Sequence, residues 1–418
     1  MTTAPICPMS NRGRRLPSIV YFLAIVVICS GLVASCNSGG NNNRQNSQGY
    51  DVYTQTGLYK NDGFPSFASF GLDRSEISGI QILGGAGSHA HLIPSDHISF
   101  TVLDPTIYPS PYVLHAPADG YLVAVDVHPQ SVKVGDGSIT LDDYGLLFQY
   151  SKNFFVMLGH VIDLTPDLKK QLGTLQQGES NFFKIPFKAG DEIGRVGGAP
   201  LHKAYDFWTI DMNTTVAGYV HPQRYIERSQ HTVAPLDYFA EPLRSQLYAM
   251  LPDRPEPRIG QFAYDIDGKL VGNWFRLKAP IKENVYMYED SDQLGFFYYN
   301  YDPSRIRIGY GVTSLVYWVV GDSPDPATID VSSGLVKYKV TENDYLSDIA
   351  NFQNMLDSNI EEAKKEYIRQ EIQRLLDGSK DTLLVQMIEA RKIKVELFPG
   401  KSADEVNGFT DAATFYDR

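Results

Sequence analysis

Cysteine is almost absent from this chain. Only Cys7, Cys29 and Cys36 occur among 418 residues, so nothing beyond residue 36 can form an intramolecular disulfide. Whatever folds there is held by its own hydrophobic core, and about 370 residues can supply one or two such cores. An excess of positive charge is lacking too: 37 Lys and Arg face 49 Asp and Glu, a formal balance of −12. This argues against nucleic acid as a partner, because binding it depends on pairing phosphates with Lys and Arg. It also disfavours flat adhesion to anionic lipid. No phosphate-cradling glycine loop, nucleophile elbow, dinucleotide fingerprint or fixed-period repeat occurs. Tryptophan is scarce, 3 against 26 tyrosines. The tyrosines read as strand and interface residues, with sugar binding the lesser alternative.

What is present begins with the amino terminus. Arg12, Arg14 and Arg15 precede an apolar run over 16–33 that closes in Val33-Ala34-Ser35-Cys36. A basic start, an apolar run of this kind and small residues before a cut mark a secretory signal. The cysteine right behind the small pair makes the segment resemble a bacterial lipoprotein signal. That resemblance implies removal of residues 1–35 and lipidation of Cys36 as the new first residue, so that the membrane is contacted through its acyl chains. The alternative is an uncleaved anchor, since a thin span needs about 18 apolar residues. Either way, everything after residue 36 is expected outside the cytoplasmic membrane. Loss of three arginines would move the balance from −12 to −15. Asn37, not an aspartate, follows Cys36, so the outer membrane is the expected location where there are two. Residues 36–49 have almost no apolar content and read as a flexible tether of roughly 20 Å.

The remainder predicts a mainly β protein. Over 50–251, short apolar stretches at 77–83, 98–103, 121–127, 144–150, 154–158 and 207–211 are broken by Gly, Pro, Asp and Asn, as in an all-β domain. Three prolines within 252–257 mark a linker. Stretches at 260–275, 295–301, 306–311, 315–320 and 334–340 predict a second β-domain over 258–418. Apolar residues at three- and four-residue steps predict a helix over 344–377 and a shorter one over 381–390. Together they make a helical hairpin inserted at 344–390, and Ile393, Val395 and Leu397 alternate as a returning strand. The helical apolar stripe reads as packing on that domain rather than as a coiled-coil seam. Trp274 reads as a core residue, with sugar contact as the alternative, and Asp265-Ile266-Asp267-Gly268 as a turn rather than a calcium loop.

Three stretches carry candidate chemistry: His89-Ala90-His91-Leu92-Ile93-Pro94-Ser95-Asp96-His97, Leu158-Gly159-His160-Val161, and the run over 188–211. Imidazole and carboxylate suit zinc, although a histidine-rich loop without metal explains the first stretch equally well. Together they resemble the lysostaphin-type (LytM-like) zinc endopeptidases, metallopeptidase family 23, which cut peptidoglycan cross-bridges. The family's "apolar-x-Ala-Pro-x-Asp-Gly-x-Val" strand is matched by Leu114-His115-Ala116-Pro117-Ala118-Asp119-Gly120-Tyr121-Leu122. Its Tyr-x-His-Leu strand end is matched by Leu158-Gly159-His160-Val161, and its Gly-Asp-x-Ile-Gly turn by Gly190-Asp191-Glu192-Ile193-Gly194. The match spans roughly 90–211, less than half the chain, and its turn motifs are shared with other hybrid-motif folds. It implies a lysostaphin-like duplicated hybrid-motif β-domain. It also implies a zinc site of His91, Asp96 and Asp206, with His97 as an alternate, and a catalytic histidine at His160.

The pattern departs from the family in two places. His91 and Asp96 are five apart where the family spaces its pair by four. Ala204 stands where the family has a proton-transferring histidine, and His202 is the candidate displaced base. Hydrolysis needs an open metal position and a base within reach of the bound water. The expected function is therefore a non-hydrolytic envelope lipoprotein that binds cell-wall material, peptidoglycan foremost, or a protein partner. The alternative is an active metal-dependent peptidoglycan endopeptidase. A third class, the membrane-fusion adaptor, places its helical hairpin between the two half-motifs, whereas here the helices follow residue 340. If Cys36 is lipidated, the mature protein partitions into detergent and Cys36→Ser leaves an unprocessed precursor. Mass spectrometry finding a mature, unacylated amino terminus elsewhere would refute this.

Overall fold

The computed structural model describes residues 51–87, 91–134, 137–197, 203–279, 290–342 and 381–418, with 362, 364–366 and 368–370 between the last two. The signal, Cys36, the tether, His89, His202 and most of the predicted helix over 344–377 lie outside the described residues. Residues 364–366 and 368–370 are helical. Among the described residues no helix is long and apolar enough to cross a membrane.

The protein is mainly β, as its strand pattern predicts. The first unit is a ten-stranded sheet. Its strands are β1 (Ile77–Gln81), β2 (Ile98–Val102), β3 (Val113–His115), β4 (Gly120–Val134), β5 (Gly137–Gln149), β6 (Phe154–Ile162), β7 (Asn181–Phe187), β8 (Glu192–Val196), β9 (Ala204–Asp211) and β10 (Thr232–Val233). The order β1-β2-β9-β6-β5-β4-β7 puts β9 and β6 at the centre, with β8 on β6 and β10 on β9. Strands here are buried on both faces, so they lack the clean alternation of a half-exposed strand. In β6, Phe154, Val156 and Leu158 enter the main core while Phe155 and Met157 enter a second core on the opposite face. In β9, Tyr205 and Phe207 face the main core while Trp208 and Ile210 face the second.

The second unit is a closed eight-stranded barrel. It comprises β11 (Gly272–Arg276), β12 (Gln293–Tyr298), β13 (Ile306–Tyr310), β14 (Leu315–Val320), β15 (Leu335–Thr341), β16 (Asp381–Glu389), β17 (Lys392–Phe398) and β18 (Thr414–Asp417). The strand pattern of β15 is legible: Val336, Tyr338 and Val340 point inward, Leu335, Lys337 and Lys339 outward. Trp274, Phe296, Tyr338, Leu383, Val385 and Tyr416 are fully buried and fill the lumen, so this barrel is packed rather than a channel.

Two expectations are corrected. Residues 381–390 are not a helix: 381–389 form β16, hydrogen-bonded to both β15 and β17. Leu383, Val385 and Met387 face the lumen while Leu384 packs outside on Phe398 and Val406. Burial on both faces produces an apolar run that mimics helical spacing. The predicted strand over 260–275 shortens to β11, because Ile259, Phe262 and Ala263 pack into the core of the sheet. Within the segment expected as a linker, Arg254 is buried, with its guanidinium on the Pro257 carbonyl.

Sheet and barrel meet along the histidine-bearing loop. Leu92 is fully buried against Phe297 and Val316 of the barrel. A Cβ on Gly309 would stand 1.6 Å from the Leu92 carbonyl oxygen, so only glycine allows that approach. Arg307 donates to the Ala86 carbonyl at 2.9 Å. Gly309→Ala should therefore displace the loop and cost about 1–3 kcal/mol. Urea denaturation checks this, and an unchanged midpoint would mean that the two units do not grip one another here.

Candidate functional site

Strand alternation decides which side chains meet. In β2, Ile98, Phe100 and Val102 enter the main core, which leaves Ser99 and, one step before the strand, His97 for the opposite face. β9 is paired to β2 with Ser99 opposite Asp206, so Asp206 lies on that same face. Ala204, two residues earlier on β9, shares it.

His160 reaches this face only through a bulge. Between the pairs Tyr144–Val161 and Leu146–Leu158, β6 carries one residue more than β5. His160 lies there with φ 60°, a left-handed conformation uncommon for a residue with a side chain. A bulge of this kind re-aims a side chain and recurs beside functional sites. Gly159 lies opposite Asp206, and a Cβ on it would meet the Trp208 ring at 2.9 Å.

The result is a chain of alternating carboxylates and imidazoles. Asp206 accepts from Ser99 Oγ at 2.6 Å, and its other oxygen lies 3.3 Å from His97 Nε2 and 3.2 Å from His160 Nε2. The far nitrogens are also held: His97 Nδ1 is 3.3 Å from Asp96 and His160 Nδ1 is 2.9 Å from Asp143. Asp96 takes two more donors, Trp208 Nε1 at 2.7 Å and Ser229 Oγ, and Asp143 takes Gln130 Nε2 at 2.8 Å.

An imidazole with a carboxylate on each nitrogen donates twice and is held as a cation. Burial opposes the charge on His97, but Asp206 and Asp96 outweigh it and raise the pKa to about 9. The same contest at His160, won by Asp143 and Asp206, raises it to about 10. For Asp206 and Asp96 burial pulls upward, yet the neighbouring imidazoles keep both carboxyls below the usual range. His91 behaves oppositely: burial and the charge of His97 push it down to about 4.

The cluster forms the floor of a cleft of about 330 Å³. His91 and Ile93 line it from the histidine loop, His128 and Gln130 from β4, Arg224, Ile226 and Arg228 from the segment after β9, and Phe275 and Gln293 from the barrel. The His160 side chain is 37% exposed against 6% for His97, so His160 is the member of the chain that a ligand can touch.

Among the sequence candidates, Asp96, His97, His160 and Asp206 come together, and His91 stands at the rim with its ring 5.2 Å from that of His97. Asp96 does not join His91 and Asp206 as a ligand trio; it orients His97. Among the described residues, no group of three or more His, Cys, Asp or Glu is arranged to hold a metal ion. Asp96 and Asp206 are held on opposite nitrogens of the His97 ring, so as arranged they do not converge with His91 on one point and do not fit the implied zinc trio. Asp143, Gln130, Ser99, Trp208 and Ser229 were not among the sequence candidates. The signal for Ser99 and His97 was present in the alternation of β2, and an acid inside an apolar strand marked Asp143.

Compared with known protein families, curated proteins and solved structures, the chain matches none. The likeness to lysostaphin-type peptidases rests on the motifs themselves.

The titrations set a pH optimum for stability. His97 and His160, raised above 6.5, contribute stability that is complete below pH 6.5 and lost as pH rises towards 9 and 10. His91, lowered to about 4, makes stability fall as pH drops from 6.5 to 4. The thermal midpoint should therefore peak near pH 6.5, and His160→Gln should flatten the alkaline decline. A midpoint that keeps rising to pH 9 would contradict the paired-imidazolium arrangement.

Proposed function

We propose that the chain is an envelope lipoprotein, anchored outside the cytoplasmic membrane through Cys36, whose lysostaphin-like cleft binds cell-wall material or a protein partner without hydrolysing it. One observation carries the non-hydrolytic part of this reading: both nitrogens of His97 and of His160 are engaged by carboxylates. Engaged on both sides, neither ring presents a free nitrogen in this arrangement to take a proton from water. Ala204 adds a methyl group where the resembling family has a histidine, and a methyl group moves no proton. What supports binding is the cleft itself, a concave site with a few convergent polar groups among apolar and aromatic walls, of the size that small ligands occupy.

Purified wall sacculi provide the test. The full chain should sediment with them, His160→Ala should weaken the association, and no muropeptide should be released. Losing general acid–base help costs roughly 10²- to 10⁴-fold, so the release assay must be sensitive enough to follow a trace. Fragment release abolished by His160→Ala and by chelator would replace this reading with that of a metal-dependent endopeptidase. Failure to sediment, with no release, would remove wall material as the ligand.

A further inference from the structure

A second cavity, of about 340 Å³, shares no lining residue with the histidine cleft. Arg254, Ala263 and Tyr264 line it from the segment that follows the sheet. Val271 just ahead of β11, Tyr298 at the end of β12 and Pro303 line it from the barrel. The Tyr264 and Tyr298 rings stand edge to face, their centres 5.5 Å apart and their planes at 73°. Most of the wall is therefore apolar or aromatic, and one side chain in it is a cation.

Among the described residues two arginines are buried, Arg418 at 5% exposure and Arg254 at 8%. Arg418 is well provided for: it donates to the carbonyls of Ile266, Leu270 and Val271, and its guanidinium lies 3.8 Å over the Trp274 ring. Arg254 has one hydrogen-bond partner, the Pro257 carbonyl on Nη1, and its Nε is buried with none. Two carboxylates also line the cavity, but both are directed elsewhere. Asp265 accepts from the backbone N–H of Val220 at 3.1 Å and of Asn273 at 2.7 Å, and Glu256 from that of Arg258 at 2.8 Å. Among the described residues none pairs with Arg254. A buried cation without a counter-charge is costly, and a buried donor without a partner calls for a reason. Burial raises the Tyr264 phenol to about 12 while the nearby Arg254 guanidinium opposes that rise, so the cation and the phenol are neighbours on one wall.

We infer that this cavity binds a small organic monocarboxylate, a carboxylate on an apolar or aromatic body, whose charge supplies the partner that Arg254 lacks. A guanidinium–carboxylate contact is a charge-assisted hydrogen bond, the strong kind, and one negative charge balances one cation. The body of the ligand lies against the tyrosine pair, Val271 and Pro303. A volume of about 340 Å³ is at the lower end of the small-molecule range, so the cavity holds a single ring or a short chain. A free aromatic acid and the last residue of a peptide present the same chemistry. A phosphate monoester brings a second charge that no cation on this wall balances, and that charge is repelled by Asp265 and Glu256. The inference is independent of the histidine cleft and of what binds there.

Titration calorimetry on the full chain in detergent tests it, with benzoate, benzamide, phenyl phosphate and N-acetyl-phenylalanine as probes. Benzoate should bind about 10-fold or more tightly than benzamide, the scale of one charge-assisted hydrogen bond, and also more tightly than phenyl phosphate. Binding of N-acetyl-phenylalanine at least as tight as that of benzoate assigns the site to a peptide end, and weaker binding assigns it to a free acid. Arg254→Gln should erase the preference for acid over amide, Arg254→Lys should keep part of it, and Tyr264→Phe should weaken benzoate less than Arg254→Gln does. Saturating benzoate should raise the thermal midpoint of the wild type and not that of Arg254→Gln, a readout that a merely structural arginine would not move. Near-UV circular dichroism of the tryptophans shows whether a variant is folded. If Arg254→Gln fails to fold, the comparison of benzoate with benzamide in the wild type and in Arg254→Lys still decides. Equal binding of acid and amide, no binding of either, tighter binding of phenyl phosphate, or a preference unmoved by folded Arg254→Gln would each overturn the inference. Loss of benzoate binding in folded His160→Ala would overturn it too, by moving the acid to the histidine cleft.

Discussion

The buried carboxylate of Asp206 is the constraint around which the sheet is arranged. A carboxylate taken out of water costs several kcal/mol unless it is paired and hydrogen-bonded. Here the donors come from both neighbouring strands and the residue leading into one of them. Ser99 arrives from β2 because the register places it opposite Asp206, and His97 follows from the same alternation. His160 arrives from β6 only because that strand carries an extra residue and accepts a left-handed backbone at it. Gly159 must stay small, since its place is filled by Trp208 and Asp206. Satisfying one charge thus fixes a register, a bulge and a glycine.

The pairing extends outward because each imidazole that serves Asp206 has a second nitrogen to satisfy. Asp96 takes that of His97 and Asp143 that of His160, so two cations stand between three carboxylates. In this chain Asp206, His97 and His160 are engaged by one another and by Asp96 and Asp143. That pairing supports the proposed non-catalytic reading.

The barrel belongs to this site as much as the sheet does. Phe275 of β11 is counted by its packing among the core residues of the sheet, and Leu92 of the histidine loop is buried among barrel residues. The two units exchange side chains across their junction, and the cleft lies where they do so. The close approach of Gly309 to the Leu92 carbonyl means that the position of His91 depends on a strand more than two hundred residues later in the chain.

The sequence by itself determined a great deal about local structure. The stretch 334–340 read as a strand and Ile393, Val395 and Leu397 alternated, announcing β15 and β17, Gly and Pro punctuation separated most of the strands, and Gly190-Asp191 marked a turn. It also singled out Asp96, His97, His160 and Asp206 as chemically unusual. Two things lay beyond it. An apolar run buried on both faces has no period of its own, so 381–389 read as helix until β15 and β17 supplied its hydrogen-bond partners. The roles within the cluster depended on register: which strand pairs with which, and where β6 slips by one residue. Register is a property of neighbours, set by contacts between residues far apart in the chain, and a slip of one residue turns a side chain to the other face. For that reason tertiary structure alone decided that His160 meets Asp206 and Asp143, and that Asp96 stands behind His97.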